Sequence, residues 1–210
     1  MRIDFIADVV CPWCWLGWLR LHRALAMRPA VSAEVLWRAY QLDPTIPEEG
    51  LDRATYMARK FPDPERLRAM GEMLAAEAVR DGATLNYDRI VRSPNTNAAH
   101  RVIRWAQGQG RQADAALALF SAYFAEGRDI GDPEVLADCA EAAGLDRTVV
   151  LGLLAQDADK ASVAQEHAAA VEAGVTGVPF VVINGRLAVA GAQEPERFVL
   201  AIDKALKLAA

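Results

Sequence analysis

Residues 3–21 read Ile3-Asp4-Phe5-Ile6-Ala7-Asp8-Val9-Val10-Cys11-Pro12-Trp13-Cys14-Trp15-Leu16-Gly17-Trp18-Leu19-Arg20-Leu21. The apolar run at the front predicts a buried strand over residues 2–7. Helical spacing behind it predicts a helix over 13–27, with Leu16, Leu19, Leu21 and Leu25 on its apolar side. The two cysteines therefore fall at a strand-to-helix junction. A helix start carries unpaired N–H groups and a partial positive charge, so it favours a thiolate over a thiol. Residues three apart share a helix face, so the two sulfurs can meet and bridge. The chemistry such a pair supports is electron exchange with other thiols.

Working outward, Val35-Leu36-Trp37-Arg38-Ala39-Tyr40 predicts a second strand, giving a β-α-β start. Pro44, Pro47 and Gly50 then break the pattern. From about 52 to about 155 the chain is rich in Ala, Leu and Arg at helical spacing. Helices are predicted near 52–60 and 63–80, from Ser93-Pro94 through Arg104, over 113–125, from Asp132-Pro133 to Gly144, and on through Leu154. Four or five consecutive helices between strands read as an insert. A helix over 159–173, a strand at Phe180–Ile183, an Asn184-Gly185 hairpin turn, a partner strand over 187–190 and a helix opened by Pro195 follow. The ends thus read β-α-β and α-β-β-α, the thioredoxin order split by a helical block. The expected class is α/β, with residues 1–44 plus 158–210 as a discontinuous thioredoxin-like unit and 45–157 as an all-helical insertion.

With 210 residues, 53% of them hydrophobic, the chain can bury a substantial core. A formal charge of −5 excludes the basic surplus of a nucleic-acid binder. No apolar run approaches the roughly 18 residues of a membrane-spanning helix. The cysteine pair lies too close to the amino terminus for a secretory signal to precede it, so a cytoplasmic location is expected, where such a pair is catalytic or metal-binding more often than structural. A metal site lacks its remaining ligands: Cys139 stands alone, and His22, His100 and His167 have no ligand spacing.

Cys11, outermost at the helix start, reads as the exposed nucleophile, and Cys14, one turn in, as the shielded resolving thiol. Pro12 suits the first helical turn, where its missing N–H costs nothing. Trp13 offers a flat apolar surface beside the reactive sulfur. Val178-Pro179 precedes the third strand, where a proline removes no needed donor, and Val178 would keep its backbone groups free for an extended peptide. Asn95-Thr96-Asn97-Ala98-Ala99-His100-Arg101 reads as a helix cap and buried face, with Asn95 and His100 as candidate cleft residues. Asp8 stands near enough to take a proton from Cys14, although a solvated strand end or capping group is the preferred reading. Trp15, Trp18, Trp37 and Trp105 are core candidates, Trp15 and Trp37 bordering the cleft. Cys139 packs as a small apolar residue.

Three segments, Asp8 to Gly17, Asn95 to Arg101 and Gly174 to Phe180, make the chain resemble the DsbA-like thiol–disulfide oxidoreductases, most closely their cytoplasmic FrnE-like branch. The resemblance implies a thioredoxin domain interrupted by helices, and a cis bond at Val178-Pro179 facing Cys11. Periplasmic DsbA proteins typically carry histidine where Trp13 stands, and that histidine helps make their pair strongly oxidising. Its absence here favours reductase or isomerase activity. The expected function is thiol–disulfide exchange on protein or peptide disulfides, with no bound cofactor and with glutathione or the thioredoxin system as electron partner. Two alternatives stand beside it. One is a glutathione-dependent isomerase or transferase of the kappa or hydroxychromene-carboxylate isomerase type, a branch that generally has serine where Cys11 stands. The other is a non-enzymatic, redox-switched chaperone.

Overall fold

The computed structural model describes residues 1–208; residues 209–210, the end of the expected carboxy-terminal unit, lie outside the described residues. The apolar run at the amino terminus forms strand β1 (Arg2–Ala7), followed by helix α1 (Pro12–Ala26) and strand β2 (Glu34–Ala39). Near the other end come helix α8 (Lys160–Glu172), strands β5 (Phe180–Ile183) and β6 (Leu187–Ala190), and helix α9 (Pro195–Lys207). The four strands make one sheet in the order β2-β1-β5-β6. β1 runs parallel to β2, with Phe5 opposite Trp37, and antiparallel to β5, with Phe5 opposite Val181. Alternation along β1 sends Ile3, Phe5 and Ala7 into the main core and Ile6 into a smaller cluster with Tyr40, Ala170 and Val175. The sheet is thus covered on both faces, as its strands' apolar character requires. This is a thioredoxin-like fold.

Between β2 and α8 the chain builds helices α2 (Arg53–Lys60), α3 (Pro64–Asp81), α4 (Asn97–Ala106), α5 (Gln112–Phe120), α6 (Pro133–Ala142) and α7 (Arg147–Ala155). Four of them start where an aspartate caps them: Asp52, Asp63, Asp132 and Asp146 each accept a hydrogen bond from a backbone N–H of the first turn, an interaction worth about 1 kcal/mol apiece. Among the described residues this block holds six α-helices, one near each of the six predicted ranges, so the tally of four or five was too low.

Three further expectations need correction. Ser93-Pro94 does not open a helix. Arg92–Ser93 instead form a short strand, β4, paired with β3 (Leu51–Asp52), and α4 begins only at Asn97. The helix expected over 113–125 stops being α-helical at Phe120 and ends in a π-helical turn over Ser121–Ala125. The hairpin after β5 takes three residues rather than two, because Ile183 pairs with Leu187; Asn184 and Gly185 both adopt left-handed backbone conformations there.

One continuous core joins sheet and inserted helices. Trp15 of α1 stacks on Phe120 at 5.7 Å and lies 6.1 Å from Phe124, while Phe5 and Trp37 meet edge to face at 4.7 Å. Helix α1 is accordingly sandwiched: Trp15, Leu16, Gly17, Trp18, Arg20 and Leu21 are all buried. Leu19 and Leu25, expected on its apolar side, are only half-buried.

Candidate active site

Cys11 occupies the position just before α1, with extended backbone (φ −97°, ψ 111°), and Pro12 takes the first helical position. Two backbone bonds set the turn: Cys11 N–H donates to the Asp8 carbonyl at 3.1 Å, and Cys14 N–H donates to the Cys11 carbonyl at 2.9 Å. Both cysteines are free thiols. Cys14 is fully buried. Burial pushes its thiol well above the ordinary cysteine value, and the neighbouring Cys11 adds to that. Cys11 differs from expectation in one respect: it is only 4% exposed. The reason lies across the cleft. Its Sγ donates to the Val178 carbonyl at 3.6 Å, so the loop before β5 covers it.

The Val178–Pro179 bond is cis, as the family resemblance implied. Pro179 sits on Gly17, where a β-carbon would come within 2.7 Å of the proline Cγ. The loop is thereby registered against α1 one turn beyond the cysteines. Val178 does not keep its carbonyl free, because Cys11 occupies it. Trp13 is half-buried beside the pair.

Asn95 serves as a structural tie. Its Oδ1 accepts from the Asn97 N–H and from the Gln41 side chain, and its Nδ2 donates to the Ile46 carbonyl, so it fastens the start of α4 to the segment after β2. His100, 4% exposed, does not reach the cleft surface. Its Nε2 lies 3.3 Å from Asp8 Oδ1 and 3.1 Å from the Tyr40 carbonyl. Asp8 corrects its preferred reading as a solvated or capping residue: it is 1% exposed, and its Oδ2 accepts from the Leu42 N–H at 2.7 Å. The available signal was a carboxylate set inside an apolar run directly ahead of the cysteines. Trp37 is core rather than cleft border, with its indole Nε1 buried and without a partner among the described residues.

Sequence reasoning missed two features. Arg20, buried on α1, donates to Asp81 and Glu77 of α3 and to the Ala192 carbonyl. Arg53, at the start of α2, lies 5.9 Å from the ring centres of both Tyr87 and Tyr123 and donates to the Tyr123 hydroxyl. Among the described residues no group of three or more His, Cys, Asp or Glu is arranged to hold a metal ion.

Fold and site together define a thioredoxin-class protein with a dithiol at a helix start. The sequence matches the DSBA-like thioredoxin domain over residues 2–203, and the chain belongs to that family. It is similar to a probable DsbA oxidoreductase of Streptomyces coelicolor, with 32% identity, a TM-score of 0.86, and coverage of 99% of this chain and 90% of that one. It is 26% identical to the uncharacterized protein YwbO of Bacillus subtilis over 97% of this chain and 96% of that protein. The fold also matches the cytosolic disulfide reductase DsbM of Pseudomonas aeruginosa, whose structure holds glutathione, with a TM-score of 0.66 at 16% identity, covering 99% of this chain and 100% of that one.

Proposed function

We propose that the chain is a protein thiol–disulfide oxidoreductase working in the reducing or isomerising direction through Cys11 and Cys14. The observation that carries this reading is the placement of Cys11 Sγ at the start of α1, against the Val178 carbonyl, with the buried Cys14 on the first turn behind it. The Cys11 thiolate attacks a substrate disulfide, forming a mixed disulfide and releasing one substrate thiolate. Cys14 then attacks Cys11 Sγ, closes the internal disulfide and releases the second substrate sulfur reduced. Raised proton affinity at Cys14 suits this order, because Cys14 stays a thiol while Cys11 does the first attack. An extended substrate segment would displace Cys11 from the Val178 carbonyl and take that carbonyl's hydrogen bond, with Pro12, Trp13 and Pro179 as the walls of the site. The unit formed by 1–44 and 158–210 would carry the chemistry and 45–157 would cover it.

Electrons would return from glutathione or the thioredoxin system, and the cytoplasm is the compartment in which a reducing dithiol stays charged with electrons. The presence of sulfur at both positions, rather than a lone hydroxyl, favours exchange over glutathione-dependent isomerisation. Insulin reduction by dithiothreitol tests the reading. The wild type should accelerate precipitation of the insulin B chain, Cys11→Ser should abolish the effect, and Cys14→Ser should accumulate a mixed disulfide visible by mass. Undiminished catalysis in Cys11→Ser would remove the proposal.

A further inference from the structure

Three residues of α1, Cys14, Gly17 and Arg20, recur at a spacing of three, so each lies on the same helix face as the next. Cys14 belongs to the dithiol, and Gly17 receives Pro179. Arg20 is the member that the exchange steps above leave unused. It is a buried cation, 3% exposed, and such a charge must be fully partnered. Helix α3 supplies the counter-charges: Nε donates to Asp81 Oδ2 at 2.5 Å, and Nη2 donates to Glu77. The remaining arm, Nη1, donates to the Ala192 carbonyl at 2.7 Å, with the Glu194 carboxylate 3.5 Å away. A guanidinium is a rigid planar fork. With two arms fixed on α3, the place of the third is fixed as well.

That third arm is one end of a continuous path to the reactive thiol. Next to Ala192, Gly191 N–H donates to the Pro179 carbonyl at 2.8 Å. Across the bond before Pro179, the Val178 carbonyl accepts from Cys11 Sγ at 3.6 Å. Proline has no N–H, so its carbonyl is the backbone tie the loop has at this residue. The turn that reaches it is braced from within: Gln193 N–H donates to the Gly191 carbonyl and Gln193 Nε2 to the Ala190 carbonyl, both at 2.9 Å. A turn braced in this way shifts as a unit, and Arg20 sets its position. Gly17 forms the floor beneath, since a β-carbon there would meet both Pro179 Cγ at 2.7 Å and Ala192 Cα at 3.5 Å.

Resting on the exchange reading, we infer that Arg20 is a positioning residue for substrate docking: held by Glu77 and Asp81, it fixes through Ala192 and Gly191 where the Val178 carbonyl stands over Cys11. The inserted helix α3 thereby reaches the site through α1. A disulfide carried on a peptide docks against that carbonyl and so depends on Arg20. A small aromatic disulfide has no peptide N–H to offer the carbonyl and does not. Without Arg20 the carboxylates of α3 keep cations, because Arg23 pairs with Asp81 and Arg80 with Glu77. Arg20→Met therefore removes the tie to Ala192 without leaving α3 unpaired.

The test compares two substrates. A peptide disulfide carrying a fluorophore and its quencher on the two arms is turned over with dithiothreitol as reductant, and a nitrobenzoate disulfide is mixed with the reduced protein alone. In Arg20→Met the KM for the peptide disulfide should rise roughly tenfold, the scale of one lost hydrogen bond, with kcat within about twofold of wild type. The rate constant for release of the coloured nitrobenzoate thiolate should stay within about twofold. Leu136→Ala, at a fully buried position of α6, lowers stability through a cavity without touching the path, and its peptide KM should match wild type. An unchanged peptide KM in Arg20→Met overturns the inference. So does an equal loss on both substrates, or a rise in Leu136→Ala as large as in Arg20→Met, since either marks a general effect of lowered stability. Should Arg20→Met not fold, Arg20→Met combined with Asp81→Leu removes both buried charges, and the same outcomes decide. A wild type that reduces neither disulfide rejects the exchange reading itself; a wild type that reduces both, with an indifferent Arg20→Met, rejects only the positioning role.

Discussion

At the scale of single residues, Gly17 is the position that holds the loop of Val178 and Pro179 against the helix of the cysteines. Two effects of Gly17→Ala oppose each other. Inside a helix, alanine gains about 1 kcal/mol over glycine from propensity. Against that, the new methyl would sit 2.7 Å from Pro179 Cγ and 3.5 Å from the Ala192 backbone. A proline ring is not a flexible chain end, so loop or helix must move, and overpacking of this kind costs about 1–3 kcal/mol. The steric cost wins. Gly17→Ala should lower stability in urea by about 1 kcal/mol, and insulin reduction should fall because Val178 shifts relative to Cys11. A variant more stable than wild type would mean that propensity alone governs the site and that Pro179 is not held there. Sequence reading found the residues on both sides of this contact, through the cysteine motif and the Val178-Pro179 motif. It had no way to find their closeness, which depends on β5 pairing with β1 across most of the chain.

At the scale of elements, what was legible was local. Strand alternation, Asp-Pro helix starts and the Asn-Gly turn announce themselves within a few residues, so the strand and helix order was readable. β3 and β4 were not, since two residues carry no period. Nor was Arg20, which looks from the sequence like one polar residue on an amphipathic helix. Its partner Asp81 is 61 residues away, and the bond exists only because α3 packs on α1. Arg20 is 3% exposed, and the Asp81 side chain is just as enclosed. Arg23 adds a second contact to Asp81, and Arg20 reaches on to the Ala192 carbonyl beyond β6. This cluster ties α1, the inserted helix α3 and the turn leading to α9. Both charges are out of water, but removing Asp81 leaves Arg20 still paired with Glu77. Asp81→Ala should therefore cost about 3 kcal/mol in a urea titration, the low end for a broken buried pair, whereas replacing Arg20 and Asp81 together by apolar residues of similar volume should recover much of the loss. A single variant within about 0.5 kcal/mol of wild type would show the pair to be energetically idle. Asp8 and His100 teach the same lesson at 92 residues' separation: each was singled out from its own motif, but their contact was not readable.

At the scale of the whole molecule, burial of groups that ionise at high pH couples stability to alkalinity. Burial pushes Cys139 up to about 11 and Tyr87 and Tyr123 each up to about 12, and raises Cys14 as well. In the unfolded chain cysteine ionises near 8.5 and tyrosine near 10. Above about pH 9 the native state therefore binds more protons than the unfolded state, and unfolding free energy must fall as pH rises. The stabilising contribution is complete below the unfolded values, and it is lost as pH climbs towards 11 for Cys139 and towards 12 for the tyrosines. A shift of two units corresponds to roughly 2–3 kcal/mol. These groups sit in different parts of the molecule, Cys14 on α1, Tyr123 after α5 and Cys139 on α6, yet all belong to or border one continuous core. Alkaline loss should therefore appear as one cooperative transition, with tryptophan fluorescence and far-ultraviolet circular dichroism moving together. The measurement is a urea titration at a series of pH values in excess reductant, so that Cys14 remains a thiol. Stability should hold up to about pH 8.5 and then decline, and Cys139→Ala should flatten the part of that decline between about 9 and 11. A stability curve that stays level to pH 11, or one that breaks into two transitions, would mean that the inserted helices and the sheet do not share the core that encloses the dithiol.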